Sequence, residues 1–318
     1  MPPDSTRIYG YLLLGKYDIY YSIVLYIVGL ISLLVSSGFI LIIATKSPSF
    51  MKTYKYLLLN MYVWCIFCVF HLGIWVQPNV VSPFACFKIN GLARYFADSK
   101  IHLLVYSTYI SMGNFIMSAA LIFFYKATLL YHHGPKWLTF KWTKVALALI
   151  LHLANSLYVA GIIYFGLVPS KTIMENPLKY SFCLDFYMST SLPLFAILFI
   201  AYMVGITLIC SVIMLKIAKN QASTGVTSRK RIKLNRKMNV TLIVLFLVTV
   251  GMGFFPCSVV FVFMFAGFNY TNAIIFFTLP IAVAIPIGDS IVLVVFIKPY
   301  RSAVLSCLKA MSCSRFSE

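Results

Sequence analysis

His102, Tyr106, Tyr109 and Gly113 recur at i, i+4, i+7 and i+11. On a helix that spacing puts them on one face. Rings with polar tips on such a face suit recognition of a small molecule in a pocket. The same rings would equally serve as an interfacial aromatic belt. Asp289 is the only charge in the stretch Met238–Ile297. A carboxylate at mid-membrane costs at least ~2.5 kcal/mol on insertion scales, so it needs a reason to be there. It is either protonated and hydrogen-bonded to Asn60 or Ser118, or a polar switch that repacks when helices move. One acid without a second carboxylate makes no proton relay. Cys65 and Cys68 have the spacing of a redox or zinc pair, but no further ligands stand nearby, and packing is the simpler reading. The lone histidines His71 and His152 read the same way. HExxH, GxSxG, GxGxxG and P-loop patterns are all missing. With seven acids in the chain, neither an enzyme nor a metal or cofactor site is expected.

The elements that must position these residues are membrane spans. Hydrophobic residues make up 61% of the 318 and charged residues 10%, against about 25% charged in a soluble domain. A spanning helix needs about 20 mostly apolar residues. Long charge-free runs predict seven spans, at 20–45, 54–77, 100–130, 143–167, 191–218, 238–266 and 272–297. The fold expected is an all-α bundle, since spanning strands would alternate apolar and polar over much shorter lengths. The chain divides into a tail (1–19), the seven-span domain (20–297) and a short segment after it (298–318). No cleavable signal peptide is evident ahead of the first span. Pro256 in span six, with Pro280 and Pro286 in span seven, predict kinks that would give the bundle a cavity and a hinge. We place Pro256 beside Asp289 in the switch.

The formal net charge of +19 does not point to nucleic acid in so apolar a chain. Positive charge marks the cytosolic side. With the N-terminus outside, the cytosolic segments hold 19 of the 26 Lys and Arg, and the outer segments hold 7 beside five acids. The densest stretch is SRKRIKLNRK, Ser228–Lys237, read as the loop between spans five and six. It faces anionic inner-leaflet lipid, at about 1 kcal/mol per basic residue near the surface. It serves either as a topology signal alone or as a docking surface for a cytosolic partner. Cys86 and Cys183 are the two extracellular cysteines in this topology, either paired in a disulfide or free. Asn269, in NYT, is a glycosylation sequon on the outer side. After Pro299, Val304, Leu308 and Met311 mark a short amphipathic helix on the inner leaflet. There Cys307 and Cys313 either carry palmitate or stay free.

Seven spans, an outer N-terminus, a basic run before span six and an amphipathic tail look like a G-protein-coupled receptor. Three common rhodopsin-type marks are missing: FFYKA stands where DRY would, span seven lacks NPxxY, and span six lacks CWxP. The stretch MKTYKYLLLNMYVWCIFCVFHLGIWVQP, Met51–Pro78, resembles the nematode serpentine chemoreceptors of the Str superfamily, in its srh and sri families. Lys126 in FFYK and the KPYR of Lys298–Arg301 match basic positions of those families. Phe124 departs from the Glu that srh members tend to carry. The resemblance implies an outer pocket between spans three, five, six and seven, for which His102, Tyr106, Tyr109, Phe255 and Phe276 are the candidates. It implies a heterotrimeric G protein met by Lys126, Arg229, Lys230, Arg231, Lys233, Arg236 and Lys237. It also implies an odorant or pheromone as ligand and the ciliary plasma membrane of a chemosensory neuron. Whether copies pair with one another or with another receptor is open. Two other classes remain: a transporter or channel lined by Asn60, Asn114, Asn155 and Asp289, and a structural membrane protein with no pocket.

Overall fold

The computed structural model describes residues 17–48, 51–81, 86–96, 101–130, 141–169, 181–184, 205, 208, 209, 212, 216, 229–265 and 271–314. Among them, six helical stretches are long and apolar enough to cross a membrane. Helix α1 runs Asp18–Lys46. Helix α2, Lys52–Val69, continues into a π-helical turn, Phe70–Trp75. Helices α3 (Ile101–Leu130) and α4 (Lys141–Gly166) follow. The predicted span 191–218 lies outside the described residues apart from five isolated helical positions. Helix α5, Arg229–Thr249, passes through a second π turn, Val250–Phe254, into α6, Phe255–Phe265. Span seven is two helices, α7 (Thr271–Val283) and α8 (Ile285–Phe296). Helix α9, Lys298–Ser314, ends the described chain.

Which helix face turns inward is set by small and polar residues. On α1, Gly29, Ser32 and Ser36 are buried with Tyr21, Leu25, Phe39 and Ile43. Leu30, Leu34 and Leu41 are exposed. Lipid tails are as apolar as leucine, so only close packing and hydrogen bonds distinguish the interior. Gly29 shows this directly. It meets Gly73 of the first π turn so closely that a Cβ on Gly73 would stand 3.1 Å from the Gly29 Cα.

The sequence predicts no strands, but the described residues include four. β1 (Pro78–Val81), β2 (Cys86–Ile89), β3 (Leu167–Pro169) and β4 (Ser181–Leu184) form one antiparallel sheet in the order β1-β2-β4-β3. Cys86 lies opposite Cys183 in the β2–β4 register, and the two are joined in a disulfide. The start of α1 pins this sheet to the bundle. Lys88 pairs with Asp18 at 2.7 Å, Asn79 donates to Asp18 at 2.8 Å, and the Tyr21 hydroxyl donates to the Pro78 carbonyl at 2.7 Å.

The chain enters the sheet through the HLGIWVQP stretch. Gln77 takes a left-handed φ of 46°, uncommon outside glycine. Its buried side chain donates to the Gly73 carbonyl at 2.7 Å, and its own carbonyl accepts from the Asn90 amide at 3.3 Å. Gly91 then passes so close to the π turn that a Cβ would overlap the Trp75 carbonyl.

Both predicted hinge regions are irregular. Pro256 is the second residue of α6, two positions after the second π turn ends at Phe254. A proline ring clashes with the carbonyl four residues back, and here the π turn takes up the disruption. In span seven, Pro286 has no N–H to donate, and the helix breaks at Ala284.

Candidate functional site

Beneath the sheet, α3, α6 and α7 line a half-open cavity of about 110 Å³. Helix α3 contributes Val105, Thr108, Tyr109 and Met112, at i, i+3, i+4 and i+7. Cys257 and Val260 come from α6, and Ile275, Thr278 and Leu279 from α7. Leu72, Val76 and Pro78 form one edge, and the sheet places Phe87 and Phe182 over the top. Those two rings stack at 5.3 Å on neighbouring strands. Each helix offers one face, so the lining repeats every three or four residues.

Of the five residues proposed for ligand contact, the structure puts Tyr109 on the cavity wall. The stripe containing it is rotated from the lining face. A Cβ on Gly113 would stand 3.0 Å from Asn155 and Val159, so that position packs on α4. Tyr106 lies near Tyr164 of α4, is partly buried, and does not line the cavity. The side chain of His102 lies outside the described residues. Phe255 is 65% exposed, two positions off the Cys257–Val260 face. Phe276 packs on Tyr21 of α1, ring centroids 5.8 Å apart, and not on the cavity. Sequence reasoning favoured large aromatic residues and missed Thr278, Cys257 and Val260. On α3 Thr108 is one of several hydroxyl residues and gave no signal, whereas Thr278 is the one hydroxyl in the apolar run Ala273–Val283.

A polar core lies among α2, α3 and α4. Asn60 donates to Ser118 at 2.9 Å and meets His152 Nε2 at 3.0 Å. Asn114 Oδ1 accepts from Asn155 at 2.9 Å and lies 3.2 Å from His152 Nδ1, while Asn114 Nδ2 donates to Ser156 at 2.9 Å. His152 is therefore the hub of a network and not simple packing. Since Asn60 presents an N–H and Asn114 a carbonyl oxygen, the ring fits as the neutral form protonated on Nδ1. Asn60, Asn114 and Asn155 are committed to one another's helices, which argues against their lining a water path.

Asp289 is buried on α8, and neither carboxylate oxygen has a hydrogen bond. The expected bonds to Asn60 or Ser118 do not form, because those two are paired with each other. Beside it, Tyr62 and Ser290 share a hydrogen bond of 3.0 Å. Above it lies an irregular layer. Val283 Cγ1 is 3.1 Å from where a Cβ on Gly73 would stand, and Ile285 Cδ1 is 2.7 Å from the same point on Gly253. The break at Ala284 thus sits between the two π turns.

At the other end, the basic run is not a loop. Arg229–Lys237 forms the first turns of α5, extending the span-six helix past its apolar part. Lys237 is exposed. The side chains of Lys126, Arg229, Lys230, Arg231, Lys233 and Arg236 lie outside the described residues, as does Asn269. Helix α9 docks on α1 through buried Tyr300, whose hydroxyl is 2.8 Å from the Ser47 hydroxyl. Cys307 on α9 is exposed, and the Cys313 side chain lies outside the described residues.

Residues 16–310 match the family model described as serpentine type 7TM GPCR chemoreceptor Srh. The chain belongs to this family. The fold agrees: squid rhodopsin superposes with a TM-score of 0.67 at 14% identity, covering 90% of this chain and 80% of its own. At that identity the likeness speaks for the fold alone. None of the curated proteins matches. The chemoreceptor is a multi-pass membrane protein, and family membership puts it in a non-enzyme class.

Proposed function

We propose that this chemoreceptor binds a small environmental molecule in the cavity beneath the sheet and activates a heterotrimeric G protein at the opposite end. The observation that carries the reading is the position of the cavity directly over the irregular layer. Cys257 and Val260 line it within two turns of the π turn at 250–254, and Leu279 lies five residues before the break at Ala284. A ligand touching α6 and α7 there bears on the two places where those helices depart from regular geometry. It shifts the balance between bundle states only by its differential affinity for them. One state moves the inner end of span six outward and frees a face for the Gα subunit. Lys126 and the Arg229–Lys237 run would meet that subunit, and Asp289 would repack with the Pro256 region.

The charge distribution supports an outer N-terminus, which puts the sheet outside and α9 on the inner leaflet. Anionic lipid meets the basic run there, with palmitate on Cys307 and Cys313, and Asn269 carries the outer glycan. Family membership suggests the ciliary plasma membrane of a chemosensory neuron. The test is expression in cultured cells with chimeric G proteins and a second-messenger readout against a chemical library. A response that disappears when the six basic residues of 229–237 are neutralised, at unchanged surface expression, gives that segment its coupling role. Measurable ion flux or substrate uptake without any such response would overturn the receptor reading.

A further inference from the structure

The chemistry of the cavity wall narrows the ligand, if the cavity is the ligand site as proposed above. Among the described residues that line it, none carries a charge. The nearby ion pair at the sheet, Lys88 with Asp18, is already satisfied. An ionised ligand would find no counter-charge among these described lining residues, and burying it against them would be costly. Most of the wall is carbon and sulfur. Of the three hydroxyls among those described lining residues, that of Thr108 donates to the Leu104 carbonyl at 2.8 Å. Those of Tyr109 and Thr278 make no hydrogen bond among the described residues. They come from α3 and α7, two of the helices that line the cavity, and each has a proton to donate. The size is also limiting, since a cavity of roughly 150 Å³ binds benzene and this one is smaller, at about 110 Å³.

We infer that the ligand is a compact, uncharged, largely apolar molecule of at most about six non-hydrogen atoms, carrying one hydrogen-bond acceptor to which the Tyr109 and Thr278 hydroxyls donate. A ketone, ester, ether or aldehyde oxygen has this chemistry. The apolar remainder fills the space between Phe87, Phe182, Val260 and Leu279. The acceptor orients the molecule so that it bridges α3 and α7, and the hydrocarbon part supplies most of the affinity.

The test uses the full-length receptor in lipid nanodiscs and four probes on one ring: cyclopentanone, cyclopentane, cyclopentylammonium and cyclopentanecarboxylate. Binding is read by saturation-transfer NMR, and G-protein activation is read separately. Cyclopentanone is expected to bind roughly fivefold to a hundredfold more tightly than cyclopentane, the range of two neutral hydrogen bonds, and neither ion is expected to bind. In Tyr109→Phe and Thr278→Val the ketone should fall toward the hydrocarbon while cyclopentane affinity stays unchanged. Val260→Phe, which fills the cavity, should abolish binding of both. Binding of either ion as tightly as the ketone overturns the inference. So does a ketone advantage that survives the Tyr109→Phe/Thr278→Val pair, or failure of both neutral probes to bind at millimolar concentration. The expected binding pattern without G-protein output would support the ligand class and remove the receptor reading. G-protein output driven through the cavity by a charged compound would do the reverse.

Discussion

Replacing Asn114 should be among the most damaging single polar changes in the bundle. Its side chain is buried and holds three neighbours: it donates to Ser156 and accepts from Asn155, with His152 Nδ1 at 3.2 Å. Asn114→Leu keeps the number and branching of the heavy atoms, so no cavity confuses the result, but all three partners lose a bond. Interhelical hydrogen bonds in a membrane protein average ~0.6 kcal/mol and reach ~1.7 kcal/mol. Three of them give roughly 2–5 kcal/mol, upward of the average because the orphaned partners stay buried. Asn60→Leu, which removes two bonds at 2.9 and 3.0 Å, should cost roughly 1–3 kcal/mol by the same reckoning. The assay is reversible unfolding of the purified receptor in mixed micelles, followed by tryptophan fluorescence. An Asn114→Leu receptor within about 0.5 kcal/mol of wild type would refute the network, since even a single average bond exceeds that loss.

Three further outcomes follow from the outer end and the cavity. Cys86→Ser opens a closed loop with a sequence separation of 97 and should cost about 2–5 kcal/mol. In thermal unfolding, Cys183→Ser should match it and the double change should add little. Gly91→Ala, where a Cβ meets the Trp75 carbonyl, should reduce surface expression more than Gly38→Ala, which meets nothing within 4 Å; flow cytometry on epitope-tagged receptor measures this. A ligand of about six heavy atoms, at a ceiling of about −1.5 kcal/mol per atom, binds no tighter than roughly 0.3 μM. Nanomolar half-saturation in a binding titration would therefore contradict the cavity as the whole binding site.

Hydropathy located the spans because a membrane demands long apolar helices, and the matches at α1 to α4 fall within a few residues. It could not orient them. On α1 nearly every residue is apolar, and the buried face is marked by Gly29, Ser32 and Ser36, not by the leucines. For the same reason a search for aromatic rings chose Phe255, which faces outward, over Cys257 and Val260. The sheet escaped because its strands are three or four residues long, too short for alternation to register. The β2–β4 pairing that joins the sheet's two halves brings together residues 86 and 183, far apart in sequence. The charge of RKRIKLNRK suggests a loop, yet the run contains no helix breaker and continues directly into span six as the start of α5. The HLGIWVQP stretch, which carried the family resemblance, is a backbone device. It builds the π turn, the left-handed Gln77 and the entrance to the sheet.

The central claim is that occupancy of the cavity beneath the sheet controls the G-protein end. The direct measurement is second-messenger output from cells co-expressing chimeric G proteins with either wild-type receptor or Val260→Phe, challenged with compact neutral compounds at matched surface levels. The account expects agonists of the wild type to lose their effect in Val260→Phe, with the variant folded and at the surface. An agonist response that is unchanged in Val260→Phe would contradict it.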